Sequence, residues 1–192
     1  MTELPIILAS ESPRRKQLLD QINLTCTVIP SGLLEDKHDG QAPEEYAAEL
    51  AAAKAAAVAE KHPDALVIGA DTIVILENEI LGKPTDRDDA FLILSKLSGR
   101  THTVITGVSI QSKKHSISDN LFEETQVSFK KISDFDIYTY IDTYQPFDKA
   151  GSYGIQDYSS IFVEKINGSY DNVVGFPLSK FNNELKKLNI NL

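Results

Sequence analysis

Short apolar runs give way, along this chain, to stretches that carry the marks of a helix start. The first such junction is the sharpest. Leu4 to Ala9 is a continuous apolar run and reads as a buried strand. Ser12 then stands where a helix N-cap is expected, and Pro13 suits the first helical position, where its missing N–H is of no consequence. Leu18, Leu19 and Ile22 give the following helix an apolar face. Ser10, Ser12, Arg14 and Arg15 are thereby gathered where a strand turns into a helix. The N–H groups at a helix start favour an anion, and a guanidinium offers a planar fork of donors that matches phosphate or carboxylate oxygens. Taken alone, the stretch reads better as a capped surface helix with solvated arginines.

The remaining chain keeps this order. Cys26 to Ile29 reads as a short strand, and Pro43-Glu44-Glu45 opens an alanine-rich helix that runs to Lys61. Lys54 lies inside that helix, where periodicity alone makes it a solvated lysine. Ala65 to Ala70 reads as a second apolar strand that runs into Asp71-Thr72 before the pattern resumes at Ile73 to Leu76. A carboxylate flanked on both sides by apolar strand residues demands a partner or a bound ion if it is buried. Glu77-Asn78-Glu79 reads as a hairpin turn returning through Ile80-Leu81, and Asp86 as the cap of a helix ending at Ser98-Gly99. His102 to Ile110 is a strand with Gly107 at a bulge or close approach, turned by residues 112–115 toward a partner between Leu121 and Phe129. Ser133 caps a helix whose face is Ile137, Tyr140, Ile141 and Tyr144. The segment from Pro146 to Gln156 has neither period but is dense in functional side chains, as site-bearing loops are. Ile161–Ile166 and Val173-Val174 read as a hairpin about Asn167-Gly168, and Pro177 opens a last helix.

At 192 residues and 42% hydrophobic content, the chain suits one α/β domain over residues 1–192, with two lobes around a cleft. Its apolar runs are strand-sized, so no membrane span is expected, and no secretory signal is legible at the N-terminus. The single cysteine, Cys26, reads as a packed thiol, which places the protein in the cytoplasm. A net charge of −9 argues against a nucleic-acid partner but leaves room for a small anionic ligand held by clustered cations or bridged by a metal. Arg14, Arg15, Lys54, Lys83 and Lys149 are such cations, and Glu35, Asp71 and Asp148 are the carboxylates nearest to them in pattern. Neither a P-loop, a G-x-G-x-x-G nor an H-E-x-x-H pattern is present. Composition and spacing thus reach an anion-handling α/β domain, with metal-dependent phosphotransfer or hydrolysis as its chemistry.

Residues 8–15 (Leu-Ala-Ser-Glu-Ser-Pro-Arg-Arg), 69–74 (Gly-Ala-Asp-Thr-Ile-Val), 81–84 (Leu-Gly-Lys-Pro), 97–104, 148–156 and 168–178 occur in an order and form that resembles the Maf family. The resemblance implies a Maf/ITPase-like fold: an elongated mixed β-sheet with flanking helices and two lobes about a central cleft. It implies a nucleoside triphosphate pyrophosphatase that needs Mg²⁺ or Mn²⁺, acts as a homodimer, and belongs to a family tied to cleaning of nucleotide pools and arrest of cell division. Pro13-Arg14-Arg15, Ala70-Asp71-Thr72 and Ser169-Tyr170 resemble the branch acting on dTTP and UTP. A branch acting on 7-methyl-GTP and a non-catalytic regulator of septum formation are the competing readings.

By the same resemblance Asp71 is the proton acceptor that activates water. Arg14, Thr72 and Gln156 select the base, where a Thr hydroxyl and a Gln amide can read the edge of a pyrimidine. Ser10, Arg15, Lys54, Lys83 and Lys149 line the phosphate path, and Glu35, Asp71 and Asp148 form the metal environment.

Overall fold

The computed structural model describes residues 4–33 and 40–190. Thirteen helices and strands follow in chain order: β1 (Ile6–Ala9), α1 (Pro13–Gln21), β2 (Thr27–Val28), α2 (Pro43–Ala59), β3 (Leu66–Leu76), β4 (Glu79–Leu81), α3 (Arg87–Leu97), β5 (Thr101–Ser112), β6 (Ile117–Phe129), α4 (Asp134–Tyr144), β7 (Val163–Asn167), α5 (Tyr170–Val174) and α6 (Leu178–Lys187). The strands form one seven-stranded sheet in the order β2-β1-β3-β5-β6-β7, with β4 paired to β3. β1 runs parallel to both β2 and β3, and each parallel pairing needs a crossover, which α1 and α2 supply. β4 is antiparallel to β3 and β7 to β6, so the sheet is mixed, as expected from the sequence.

The chain divides into two compact units, one ending its first stretch at Asp71 and adding Thr106–Glu123 and the residues from Gly175 onward, the other made of Thr72–Ile105 and Glu124–Val174. In the first unit α2 lies on the sheet with almost no side chains between. Ala47, Ala51 and Ala55, spaced four apart, are fully buried. Opposite them stand glycines. A Cβ on Gly69 would lie 2.2 Å from the Ala51 carbonyl oxygen, and one on Gly107 would lie 2.3 Å from the Ala47 carbonyl oxygen. Gly107 is therefore a close approach. Ile7, Ala9, Val58, Ala59 and Val67 complete this seam, and Leu178, Phe181 and Leu185 bury the face of α6.

In the second unit Glu77 and Asn78 both have positive φ, +49° and +71°, as a two-residue hairpin loop requires. The Asp86 carboxylate accepts from the Asp89 N–H at 2.9 Å and the Ser133 hydroxyl from the Asp136 N–H at 3.2 Å, so both expected caps form. Other expectations fail: Tyr144 is 42% exposed rather than part of the buried face of α4, and the hairpin about Asn167-Gly168 does not form, Ile161 lying in a 3-10 turn ahead of β7. Val173-Val174 do not return as a strand beside β7 but lie in α5. The Ser169 hydroxyl accepts from the Asn172 N–H at 3.3 Å, and the buried Asn172 amide donates to the Val104 carbonyl at 3.1 Å and to Thr125 Oγ1 at 3.0 Å. A local cap and buried tertiary hydrogen bonds override the strand preference of two valines.

Candidate active site

The junction that opened the sequence is rigidly built. Ser10 leaves β1 buried, and its hydroxyl oxygen accepts from the Ser12 N–H at 3.2 Å and from Arg15 Nη1 at 2.9 Å. Arg15 Nε donates to the Gly175 carbonyl at 2.9 Å. Ser12 does occupy the N-cap position of α1, with Pro13 following, but its own side chain makes no capping bond. The hydroxyl that organises the turn belongs to Ser10. Arg15 is held by protein acceptors on two sides, while Arg14 sits half-buried in the first turn of α1.

Asp71 lies within β3 rather than at its end, and only 6% of it is exposed. Strand alternation places residues 67, 69 and 71 on one face, the face that α2 covers. On α2, Lys54 follows Ala51 by three and Ala47 by seven, which sets it on the buried stripe. The close approach at Gly69 lets its stem reach along the sheet, and Lys54 Nζ pairs with Asp71 Oδ1. Only 13% of the Lys54 side chain is exposed, so it is not the solvated lysine of the periodicity reading. Burial of an uncompensated carboxylate is strongly unfavourable, and the ammonium supplies the compensation. In register Ala9 stands beside Gly69, so Ser10 departs from the sheet at the level where β3 continues to Asp71. The carboxyl ends of parallel strands are where open α/β sheets bind ligands.

The second unit carries Thr72, Lys83, Asp148, Lys149 and Gln156. Lys83 and Gln156 are exposed, and Thr72 is half-buried. Lys149 is 13% exposed at its side chain and its ammonium lies 2.6 Å from Asp148 Oδ1. The Gly151 N–H donates to the Gly82 carbonyl at 3.1 Å, which ties the 148–156 segment to the residue before Lys83. Beneath this segment His102 Nε2 and the Tyr153 hydroxyl share a buried hydrogen bond of 2.8 Å. Burial pushes the His102 imidazole down to about 4, so it is neutral at ordinary pH, and raises the Tyr153 phenol.

Ser10 and Arg15 are thus joined to each other, Lys54 to Asp71, and Asp148 to Lys149. Glu35 lies outside the described residues. Among the described residues no group of three or more His, Cys, Asp or Glu is close enough to cage a metal ion. Sequence reasoning missed Gly69, whose signal was a glycine two residues ahead of a strand carboxylate, and the His102–Tyr153 bond, which left no local signal. No helix among the described residues is long and apolar enough to cross a membrane.

Fold and site together define an α/β protein with a mixed sheet and a buried lysine–aspartate pair beside the carboxyl ends of parallel strands. The Maf-like protein family matches residues 5–188, and the chain belongs to that family. A Thermoanaerobacter sp. (strain X514) protein named dTTP/UTP pyrophosphatase is 48% identical over 188 residues, covering 96% of this chain and 96% of its own length. Proteins of the same name from Desulfotalea psychrophila and Bacillus velezensis are similar too. The first is 47% identical, covering 92% of this chain and 90% of its own. The second is 46% identical, covering 96% and 97%. Among solved structures, that of the Staphylococcus aureus Ham1 protein overlaps with a TM-score of 0.45 at 18% identity, covering 65% of this chain and 71% of that one.

Proposed function

We propose that this protein is a pyrophosphatase that hydrolyses dTTP and UTP to the nucleoside monophosphate and pyrophosphate. The observation that carries the reading is the buried Asp71 held by Lys54, in a chain 46–48% identical over nearly its full length to proteins named for that activity. Asp71 takes a proton from a water whose oxygen attacks the α-phosphorus, and the bond from that phosphorus to the bridging oxygen breaks, with pyrophosphate as the leaving group. Lys54 holds the carboxylate in place and, with Ser10, Arg15, Lys83 and Lys149, offers donors to phosphate oxygens. Arg15 is fixed by Ser10 and Gly175, so its fork is presented in one orientation.

The carboxylates suit a hard divalent ion. Mg²⁺ and Mn²⁺ take oxygen ligands and need only one or two carboxylates when phosphates and water fill the other positions. Asp71 and Asp148, with Glu35, are the donors that would hold such an ion, which when bound neutralises charge on the phosphates and polarises the phosphoryl group. Arg14, Thr72 and Gln156 select the base. The protein acts as a homodimer in the cytoplasm, with the nucleotide and no nucleic acid or membrane as its partner.

Incubation with dTTP and Mg²⁺ or Mn²⁺ is expected to yield dTMP and pyrophosphate in equal amounts. Release of orthophosphate, or no turnover of any triphosphate in a panel that includes 7-methyl-GTP, would overturn the reading.

A further inference from the structure

The segment from Asp148 to Gln156 has little regular structure of its own, yet its backbone is pinned from several sides. The Gly154 N–H donates to the Tyr140 hydroxyl at 3.3 Å, and the Gly154 carbonyl accepts from Ser159 Oγ at 2.8 Å. Between these and the Gly151–Gly82 bond, Tyr153 plunges into the unit with 6% exposure. Its ring meets Phe129 edge-on at 4.9 Å and His102 at 5.5 Å, and its hydroxyl ends on His102 Nε2. The Lys149 stem lies directly over the next residue, because a Cβ on Gly154 would stand 2.9 Å from Lys149 Cε. The Gly154 backbone therefore bounds one side of the Lys149 stem, whose ammonium ends on Asp148.

His102 makes one side-chain hydrogen bond, to Tyr153, and meets the Phe129 ring edge-on at 4.9 Å. It is 2% exposed, and its Nδ1 has no hydrogen-bond partner among the described residues. Burying an imidazole with one nitrogen unsatisfied is unfavourable, so packing alone does not account for it.

We propose that His102 is a positioning residue: through the Tyr153 hydroxyl it sets the height of the 149–156 segment and so places the Lys149 ammonium for the triphosphate. It touches neither substrate nor the reacting atoms. The inference rests on the pyrophosphatase reading above. Ground-state and transition-state phosphates need the same ammonium, so misplacement appears in KM more than in kcat.

Tyr153→Phe, which removes one oxygen, and His102→Leu are expected to raise the KM for dTTP about tenfold with kcat within about threefold of wild type. His102→Gln, whose amide reaches the same hydroxyl, restores KM to within about threefold. In a Lys149→Ala background Tyr153→Phe adds no further change, because both act through one group. A KM within about twofold of wild type in Tyr153→Phe, or effects that multiply with Lys149→Ala, would overturn the proposal. If His102→Leu does not fold, Tyr153→Phe alone carries the test. If the wild-type protein turns over no triphosphate, the pyrophosphatase reading has failed by itself. The latch is then read by amide hydrogen exchange over residues 149–156, where about tenfold faster exchange in Tyr153→Phe supports it and unchanged exchange sinks it.

Discussion

Lys54 on α2 and Asp71 on β3 form an ion pair whose side chains are 13% and 9% exposed. Neither charge has much water, so the carboxylate depends on the ammonium, and the two substitutions that break the pair separate chemistry from stability. Asp71→Asn keeps shape and removes the proposed base, so turnover of dTTP is expected to fall by about 10²- to 10⁴-fold while the protein remains folded by circular dichroism. A rate near wild type would take Asp71 out of that role.

Lys54→Met leaves the carboxylate buried and uncompensated. The expected loss is about 3 kcal/mol in urea denaturation, more than for Asp71→Asn, where the amide can still accept from the ammonium. Equal stabilities for Lys54→Met and wild type would show that water reaches the carboxylate.

Gly69→Ala drives a methyl group onto the Ala51 carbonyl, since the new Cβ would stand 2.2 Å from it. Helix α2 must lift, which costs about 1–3 kcal/mol and carries Lys54 away from Asp71. Both the urea midpoint and kcat are expected to fall, and a fall in stability alone would uncouple the helix from the pair.

Stability should also respond to His102. Its folded pKa is lowered to about 4 from 6.5. The unfolded chain therefore binds the proton first as pH falls, so the contribution of this group is complete above 6.5, is lost between 6.5 and 4, and is flat below. At about 1.4 kcal/mol per pH unit the loss is on the order of 3 kcal/mol. Comparing urea midpoints at pH 7.5 and 4.5 checks it, and His102→Gln should make the difference between the two smaller.

Chelation is the simplest remaining test. EDTA is expected to abolish turnover of dTTP and excess Mg²⁺ to restore it, and undiminished turnover in EDTA would remove the ion from the proposed chemistry.

Much of this arrangement is legible in the amino-acid order because it rests on short-range rules. Ser12-Pro13, Asp86 and Ser133 mark helix starts that form where expected, and Glu77-Asn78 is a turn whose two residues adopt the positive φ it needs. The departures arise where distant groups decide. Asn172 gives up the strand reading of Val173-Val174 for hydrogen bonds to Val104 and Thr125, which are far away in sequence. Lys54 looked solvated because a lysine in an alanine-rich helix ordinarily is, and only the glycine opposite Ala51 shows that the helix has no room to turn it outward. The His102–Tyr153 bond spans 51 residues, and no local pattern announces such a contact.

The seam between α2 and the sheet has one more consequence. At Gly69 and Gly107 main chain meets main chain, and peptide groups have no rotamers with which to accommodate a change. A contact between side chains can be retuned by exchanging a leucine for a methionine, but here no smaller residue exists to exchange. The spacing between the main chains from which Lys54 and Asp71 project is thus a machined dimension, fixed by the thickness of two polypeptide backbones. Sequence drift elsewhere can reshape the rest of the molecule while this gauge stays constant.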